Sequence, residues 1–312
     1  MDMYQKRKMR SENKKNSVEN NNEKSLSKVV INWYPGHMTK TRRQMEEDLR
    51  LVDAVCEILD ARIPVSSRNP DIDAICGDKP RMVVLNRTDM ADPGMTKRWS
   101  EYFKAKGISV IRTDCKNRKG VSDFAPAVRE LLKEKLQKYA EKGQNGRSLK
   151  VMIVGIPNVG KSTFINQVSG TKSAKAENRP GVTRGKQWIT VGQGLLLLDT
   201  PGILWPKFDD PEVGMRLAYT GAVKDDILDL ETLARNLARL LWERYPEAMT
   251  ARYKLALPAE AEGWEVLEAA GRKRGFLVSG GEVDTERMAR VLLDEYRSCK
   301  LGCFTLETPP EV

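Results

Sequence analysis

Two groups of residues in this chain have the types and spacing that nucleotide chemistry needs, and they come in an uncommon order. The run Gly155-Ile156-Pro157-Asn158-Val159-Gly160-Lys161-Ser162 fits G-x-x-x-x-G-K-[ST] and follows the apolar stretch Val151–Val154. A strand that feeds a glycine loop opening a helix is the setting in which this pattern cradles phosphate. Backbone N–H groups of Asn158, Val159, Gly160 and the residues up to Thr163 would wrap phosphate oxygens at the helix N-terminus, where the helix dipole favours anions. Lys161 would neutralise the terminal phosphates, and the Ser162 hydroxyl would coordinate Mg²⁺. The second group, Asn86-Arg87-Thr88-Asp89, comes earlier in the chain. Asp89 can accept two hydrogen bonds from the N1 and N2 donors of guanine, which adenine cannot offer, and an unpaired carboxylate penalises the wrong base. In an ordinary small GTPase the phosphate loop comes first.

Two further segments complete the pattern. Asp199-Thr200-Pro201-Gly202 fits D-x-x-G, in which Asp199 supports the Mg²⁺ shell and the Gly202 amide senses the terminal phosphate. Thr183, in Arg179-Pro180-Gly181-Val182-Thr183-Arg184-Gly185, stands where an ordering threonine on Mg²⁺ is expected. By itself it would read as a surface residue. Arg87 occupies the position of the usual lysine, and its stem or planar guanidinium is expected over the purine, although Arg and Lys are not equivalent there. Asp114-Cys115-Lys116 falls where a second base-supporting loop belongs, a match too degenerate to stand unaided.

The elements that must hold these residues alternate. Apolar strands are expected at Ala54–Leu59, Met82–Leu85, Ser109–Arg112 and Val151–Val154. Between them fall a short helix near Asp71–Ile75, a helix from Met95 to Lys106 and a long helix from Val121 toward Glu141. Such alternation implies a parallel sheet with helices on its faces. Gln187–Val191 and Leu195–Leu198, joined through Gly192 and Gly194, predict a hairpin. Beyond Pro206 the period becomes helical, with Ile227, Leu230, Leu233, Leu237, Leu240 and Leu241 on one stripe and Met288, Val291, Leu292 and Tyr296 on another. The expected organisation is a basic tail over residues 1–30, a nucleotide domain over 31–208 and an all-helical domain over 209–312.

The chain has 312 residues, 40% hydrophobic and 31% charged, a globular balance with no apolar run near the roughly 20 residues of a membrane span. A formal charge of +10 favours a polyanionic partner such as nucleic acid. The N-terminal residues lack the apolar segment of a secretory signal, and their acidic residues argue against a mitochondrial leader, so the cytoplasm is expected. Five cysteines without a C-x-x-C pair suit reduced thiols, with no metal and no disulfide assigned. Arg272, Lys273, Arg274, Arg287, Arg290, Arg297 and Lys300 offer a basic face for RNA phosphates, though charge runs on helices are commonly just solvated.

Together with the permuted motif order, the runs Trp33-Tyr34-Pro35-Gly36-His37-Met38-Thr39-Lys40, Asp60-Ala61-Arg62-Ile63-Pro64, Gly280-Gly281-Glu282-Val283-Asp284 and Lys300-Leu301-Gly302 resemble the ribosome biogenesis GTPase A (YlqF) family. The resemblance covers about Ile31 to Glu307. It implies an α/β, circularly permuted Ras-like P-loop GTPase domain followed by a small all-helical domain, acting late in assembly of the large (50S) ribosomal subunit on rRNA and pre-ribosomal particles. The chain departs from the family at Arg87 and at Cys299 and Cys303, where a glycine and a basic residue are expected.

Hydrolysis needs a positioned water, and Ile203, which follows D-x-x-G, cannot orient one. The missing group must come from elsewhere in the chain, from a monovalent ion or from the partner. In the resembling family the histidine of P-G-H-M is the proposed water-orienting residue, which points to His37; the bland reading is a histidine that caps or packs. The resemblance likewise offers Asn158 as a K⁺ ligand, against a loop asparagine that satisfies local backbone. The alternatives to a large-subunit GTPase are a non-catalytic GTP-dependent placeholder and a GTPase of small-subunit assembly. A monomer is expected, with no membrane partner.

Overall fold

The computed structural model describes residues 43–311, apart from 44, 145, 171–186, 193, 201 and 203–209. His37, Thr183, Ile203 and the tail over residues 1–30 therefore lie outside the described residues.

Six strands form one sheet: β1 (Ala54–Asp60), β2 (Arg81–Asn86), β3 (Ser109–Arg112), β4 (Leu149–Gly155), β5 (Gln187–Val191) and β6 (Leu195–Asp199). Their order is β3-β2-β1-β4-β6-β5, with every pairing parallel except the β5–β6 hairpin. Counted from β4 as first strand and running on through β6 to β1, β2 and β3, the sheet reads 2-3-1-4-5-6, a Ras-like sheet whose chain has been circularly permuted. β1, covered on both faces, is buried at every position and is apolar except for Glu57 and Asp60.

Successive side chains alternate between faces. Cys56, Ile58, Val84, Val151 and Ile153 meet α3 (Phe124–Leu131) and α5 (Lys161–Ser169) through Phe124, Val128 and Phe164. On the other face Val55, Met152 and Leu198 meet Ile72 of α1 (Ile72–Cys76) and the helical residues Met45 and Leu49. Val83 and Leu85 meet Trp99 and Phe103 of α2 (Pro93–Ala105). The Asp92 carboxylate accepts from Met95 N at 2.7 Å and Pro93 opens α2, a start that satisfies the first turn. The expected long helix from Val121 is instead a 3₁₀ turn, α3 and α4 (Lys133–Glu141), because Leu132 leaves helical geometry at φ −107° to bury its side chain, while α4 buries none.

The remaining helices are α6 (Pro211–Tyr219), α7 (Leu230–Arg244), α8 (Pro246–Tyr253), α9 (Gly263–Lys273) and α10 (Thr285–Arg297). Asp210, Asp229 and Asp284 cap α6, α7 and α10 through Glu212 N, Thr232 N and Arg287 N. After α10 the chain returns to the sheet. Leu306 N donates to Arg62 O at 2.8 Å, Trp99 Nε1 donates to Glu307 O at 3.0 Å, and the buried Glu307 carboxylate accepts from Val65 N and Ser66 N.

Candidate functional site

The phosphate loop ends β4 and opens α5. Gly160, at φ 92°, lies so close to β2 that a Cβ there would stand 2.4 Å from Asn86 Nδ2, a position only glycine fits. Asn86 is buried and joins three segments: its Nδ2 donates to Val159 O at 2.9 Å, and its Oδ1 accepts from Thr113 Oγ1 at 3.0 Å and Cys115 Sγ at 3.1 Å. The base-reading signature is thereby hydrogen-bonded to the phosphate loop, although Val159 lies 73 residues downstream of Asn86.

Lys161 is buried, donates from Nζ to Thr200 O and lies 3.4 Å from Asp199 Oδ1. Burial pushes the lysine down and the aspartate up, and their mutual attraction opposes both shifts. Asp199 Oδ1 is buried without a hydrogen-bond partner among the described residues. Thr200 Oγ1 donates to Ile153 O at 2.8 Å, which ties D-x-x-G to the strand of the phosphate loop. Gly202 abuts that loop, where a Cβ would stand 2.9 Å from Pro157 N. Ser162 is half-buried and Thr163 exposed at the start of α5.

Arg87 reaches across to the phosphate loop: its Nη2 donates to Asn158 O and its Nη1 lies 3.9 Å from Asp60 Oδ2, so the guanidinium braces that loop. Burial pushes Arg87 down, with Asp60 opposing. Asp60 is buried and also takes two bonds from the Arg62 guanidinium, at 2.9 and 2.7 Å; those cations outweigh the effect of burial and hold it below the usual carboxylate range. Asp89 is half-buried, and burial with the nearby Asp114 carboxylate pushes it up. Asp114 itself is occupied by Asn117, whose N and Nδ2 donate to it at 3.0 and 2.7 Å. Cys115 is pushed up to about 11 by burial, so it acts as a neutral donor to Asn86.

Asn86, Arg87, Asp89, Cys115, Asn158, Gly160 and Thr163 line one cleft of about 1090 Å³, above the roughly 300–1,000 Å³ common for small-ligand sites. Lys161, Asp199 and Gly202 are not in its lining; Lys161 and Asp199 are buried beneath the phosphate loop, and Gly202 is exposed beside Pro157. The opposite wall is one that sequence reasoning misses. It comes from the turn after α6 and from α10: Thr220, Gly221, Lys224, Asp225, Asp226, Asp294 and Arg297. Asn158 Nδ2 donates to Gly221 O at 2.7 Å, a link no motif announces. Arg297, expected on an RNA face, instead holds Asp225 and the carbonyls of Ala218 and Tyr219. Arg274 stays exposed and shares the buried Glu295 with Arg252. A second cavity, about 540 Å³ between α2 and β3, shares only Thr88 with the signature.

A permuted Ras-like sheet whose phosphate loop, D-x-x-G segment and base-reading loop are bonded together defines a P-loop GTPase. The family model described as a 50S ribosome-binding GTPase matches residues 150–239. A protein of Bacillus cereus named ribosome biogenesis GTPase A is 49% identical over 284 residues, which cover 91% of this chain and 95% of that one. The mouse mitochondrial ribosome-associated GTPase 1 is 33% identical, covering 89% of this chain and 90% of its own. A crystal structure of GNP-bound YlqF from T. maritima superposes with a TM-score of 0.61 at 28% identity, covering 88% of this chain and all of that one. This chain belongs to the ribosome biogenesis GTPase A family, and its activity is GTP hydrolysis.

Proposed function

We propose that this chain acts in late maturation of the large (50S) ribosomal subunit, binding rRNA and pre-ribosomal particles in the GTP state and leaving on hydrolysis. The observation that carries this reading is the bond from Asn158 in the phosphate loop to Gly221 O, which sets the nucleotide one contact from the helical region. GTP would order the segments of Thr183 and Gly202, and the shift would pass through that contact to the face that meets the particle. The relatives' names, a ribosome biogenesis GTPase and a mitochondrial ribosome-associated GTPase, support a ribosomal partner. The working division is a nucleotide domain over 31–208 and a ribosome-facing helical domain over 209–312, with a basic tail over 1–30.

Within the site, Lys161 neutralises the β- and γ-phosphates, the amides of Asn158 to Thr163 hold phosphate oxygens, and Asn86, Arg87, Asp89, Asp114 and Cys115 form or brace the base pocket. The orphaned Asp199 Oδ1 and the Ser162 hydroxyl are hard oxygen donors that fit Mg²⁺, with Thr183 as a third. Bound there, the ion offsets charge on the phosphates. Asn158 Oδ1 is the proposed K⁺ ligand and His37 the group that orients the attacking water. Among the described residues no helix is long and apolar enough to cross a membrane. The protein is proposed to work as a cytoplasmic monomer.

The test is GTP hydrolysis in potassium buffer with purified large subunits, small subunits or neither. Selective stimulation by large subunits is expected; equal stimulation, or none, would sink the large-subunit assignment.

A further inference from the structure

Two thiols outside the nucleotide motifs rest on the backbone of the base-reading loop. Cys299 Sγ donates to Met90 O at 3.5 Å and Cys303 Sγ donates to Asp89 O at 3.2 Å, two consecutive carbonyls of that loop. The segment between them is a turn: Gly302 N donates to Cys299 O, and Cys299 and Gly302 have φ of 59° and 137°. That i to i+3 bond closes the chain on itself between the two cysteines. Because their sulfurs meet the carbonyls of adjacent residues, Asp89 and Met90, the two thiols stand side by side on one stretch of backbone. Among the described residues Cys303 is the one exposed cysteine, Cys299 is half-buried, and Cys56, Cys76 and Cys115 are buried.

We propose that Cys299 and Cys303 form a reversible intramolecular disulfide that loosens the guanine loop. The inference rests on the reading of Asp89 as the base-reading carboxylate. An S–S bond of about 2.05 Å draws both sulfurs toward each other, so neither can keep its bond to the Asp89 or Met90 carbonyl. The loop then loses its C-terminal support, and guanine nucleotide affinity falls.

A low-molecular-weight disulfide is the oxidant. Exposed Cys303 attacks as thiolate, forming a mixed disulfide and expelling one thiol. Cys299, its proton passed to water, then attacks the Cys303 sulfur and expels the second. Two electrons leave the pair, and one external disulfide becomes two thiols. Burial pushes Cys299 up to about 12, which makes it the resolving rather than the attacking group. In reducing compartments such bonds are characteristically transient and sensing.

The experiment treats the full chain with oxidised glutathione, maps the thiols by mass spectrometry, and measures GDP affinity before and after. The expected product is a Cys299–Cys303 peptide lighter by two hydrogens, GDP binding weakened by about tenfold, and recovery on adding dithiothreitol. The Cys303→Ser variant should form no such bond and bind GDP equally before and after treatment. A stable glutathione adduct on Cys303 would overturn the proposal, as would unreacted thiols, or a disulfide formed with affinity unchanged. Base preference of the reduced protein, GTP against ATP, tests the Asp89 reading separately.

Discussion

At the phosphate end of the cleft, the phosphate loop and the D-x-x-G segment hold one another across the neighbouring strands β4 and β6. Lys161 meets Thr200 and Asp199 at the end of β6, Thr200 meets Ile153 on β4, and Gly202 lies on Pro157. At the base end, support comes from remote parts of the chain. Asn86 depends on Thr113, Cys115 and Val159; Arg87 depends on Asp60 and Asn158; the Asp89 and Met90 carbonyls are met by Cys303 and Cys299. The contacts at the phosphate end thus join two motifs on neighbouring strands, whereas the base end is braced from several separate segments, including the turn after α10. Changes far from the loops should alter the choice of base and leave phosphate chemistry largely alone.

The largest expected effect is at the phosphate end. Lys161→Ala removes the cation on the phosphates and should lower GTP turnover by about 10³-fold without changing base preference; phosphate release measures it, and a wild-type rate would refute the assignment. At the other end, Asp89→Asn exchanges an acceptor for a donor. It should weaken GTP by about 10²-fold while improving binding of xanthosine nucleotides, which present a carbonyl where guanine has its N2 donor. Competition binding reads that exchange, and unchanged preference would remove Asp89 from base reading.

Asn86→Ala strikes the joint between the two ends. It leaves the Val159 carbonyl and the Thr113 hydroxyl unpartnered in the core, costing about 1–3 kcal/mol of stability and about tenfold in nucleotide affinity. Urea denaturation with and without GDP separates the two losses; if neither moves, the joint is not a support. The smallest effect belongs to Arg87→Lys. A lysine reaches either Asn158 O or Asp60 as a point charge but cannot fork between them, and about a threefold change in GDP affinity is expected. A change as large as that of Asp89→Asn would mean that Arg87 contacts the base itself.

The same contrast explains what the amino-acid sequence discloses. The phosphate loop and D-x-x-G are contiguous patterns in strand and loop contexts, so their residues can be named from the order of amino acids alone. The stretches Met82–Leu85 of β2 and Val151–Val154 of β4 are equally legible, because strands buried on both faces of a parallel sheet are apolar runs. The orientation of Arg87 is not legible, because its partner, Asp60, sits in a different motif whose register with Asn86 is fixed only by the sheet. The ion pairs of Arg297 and Arg274 are hidden for a related reason: helical periodicity places charges on a face but does not say that Asp225 and Glu295 stand beside them. Gly221, which carries no chemistry of its own, offers no signal at all.

Trp99 and the Glu307 carbonyl that receives its indole N–H are separated by 208 residues. At a synthesis rate of about 5–20 residues per second, roughly ten to forty seconds pass between the emergence of one and the other. Throughout that interval the sheet can assemble while the Val65 and Ser66 amides stay open and the guanine loop lacks its second flank. The base end of the cleft is thus completed only after the return segment around Glu307 has emerged, later than every strand of the sheet.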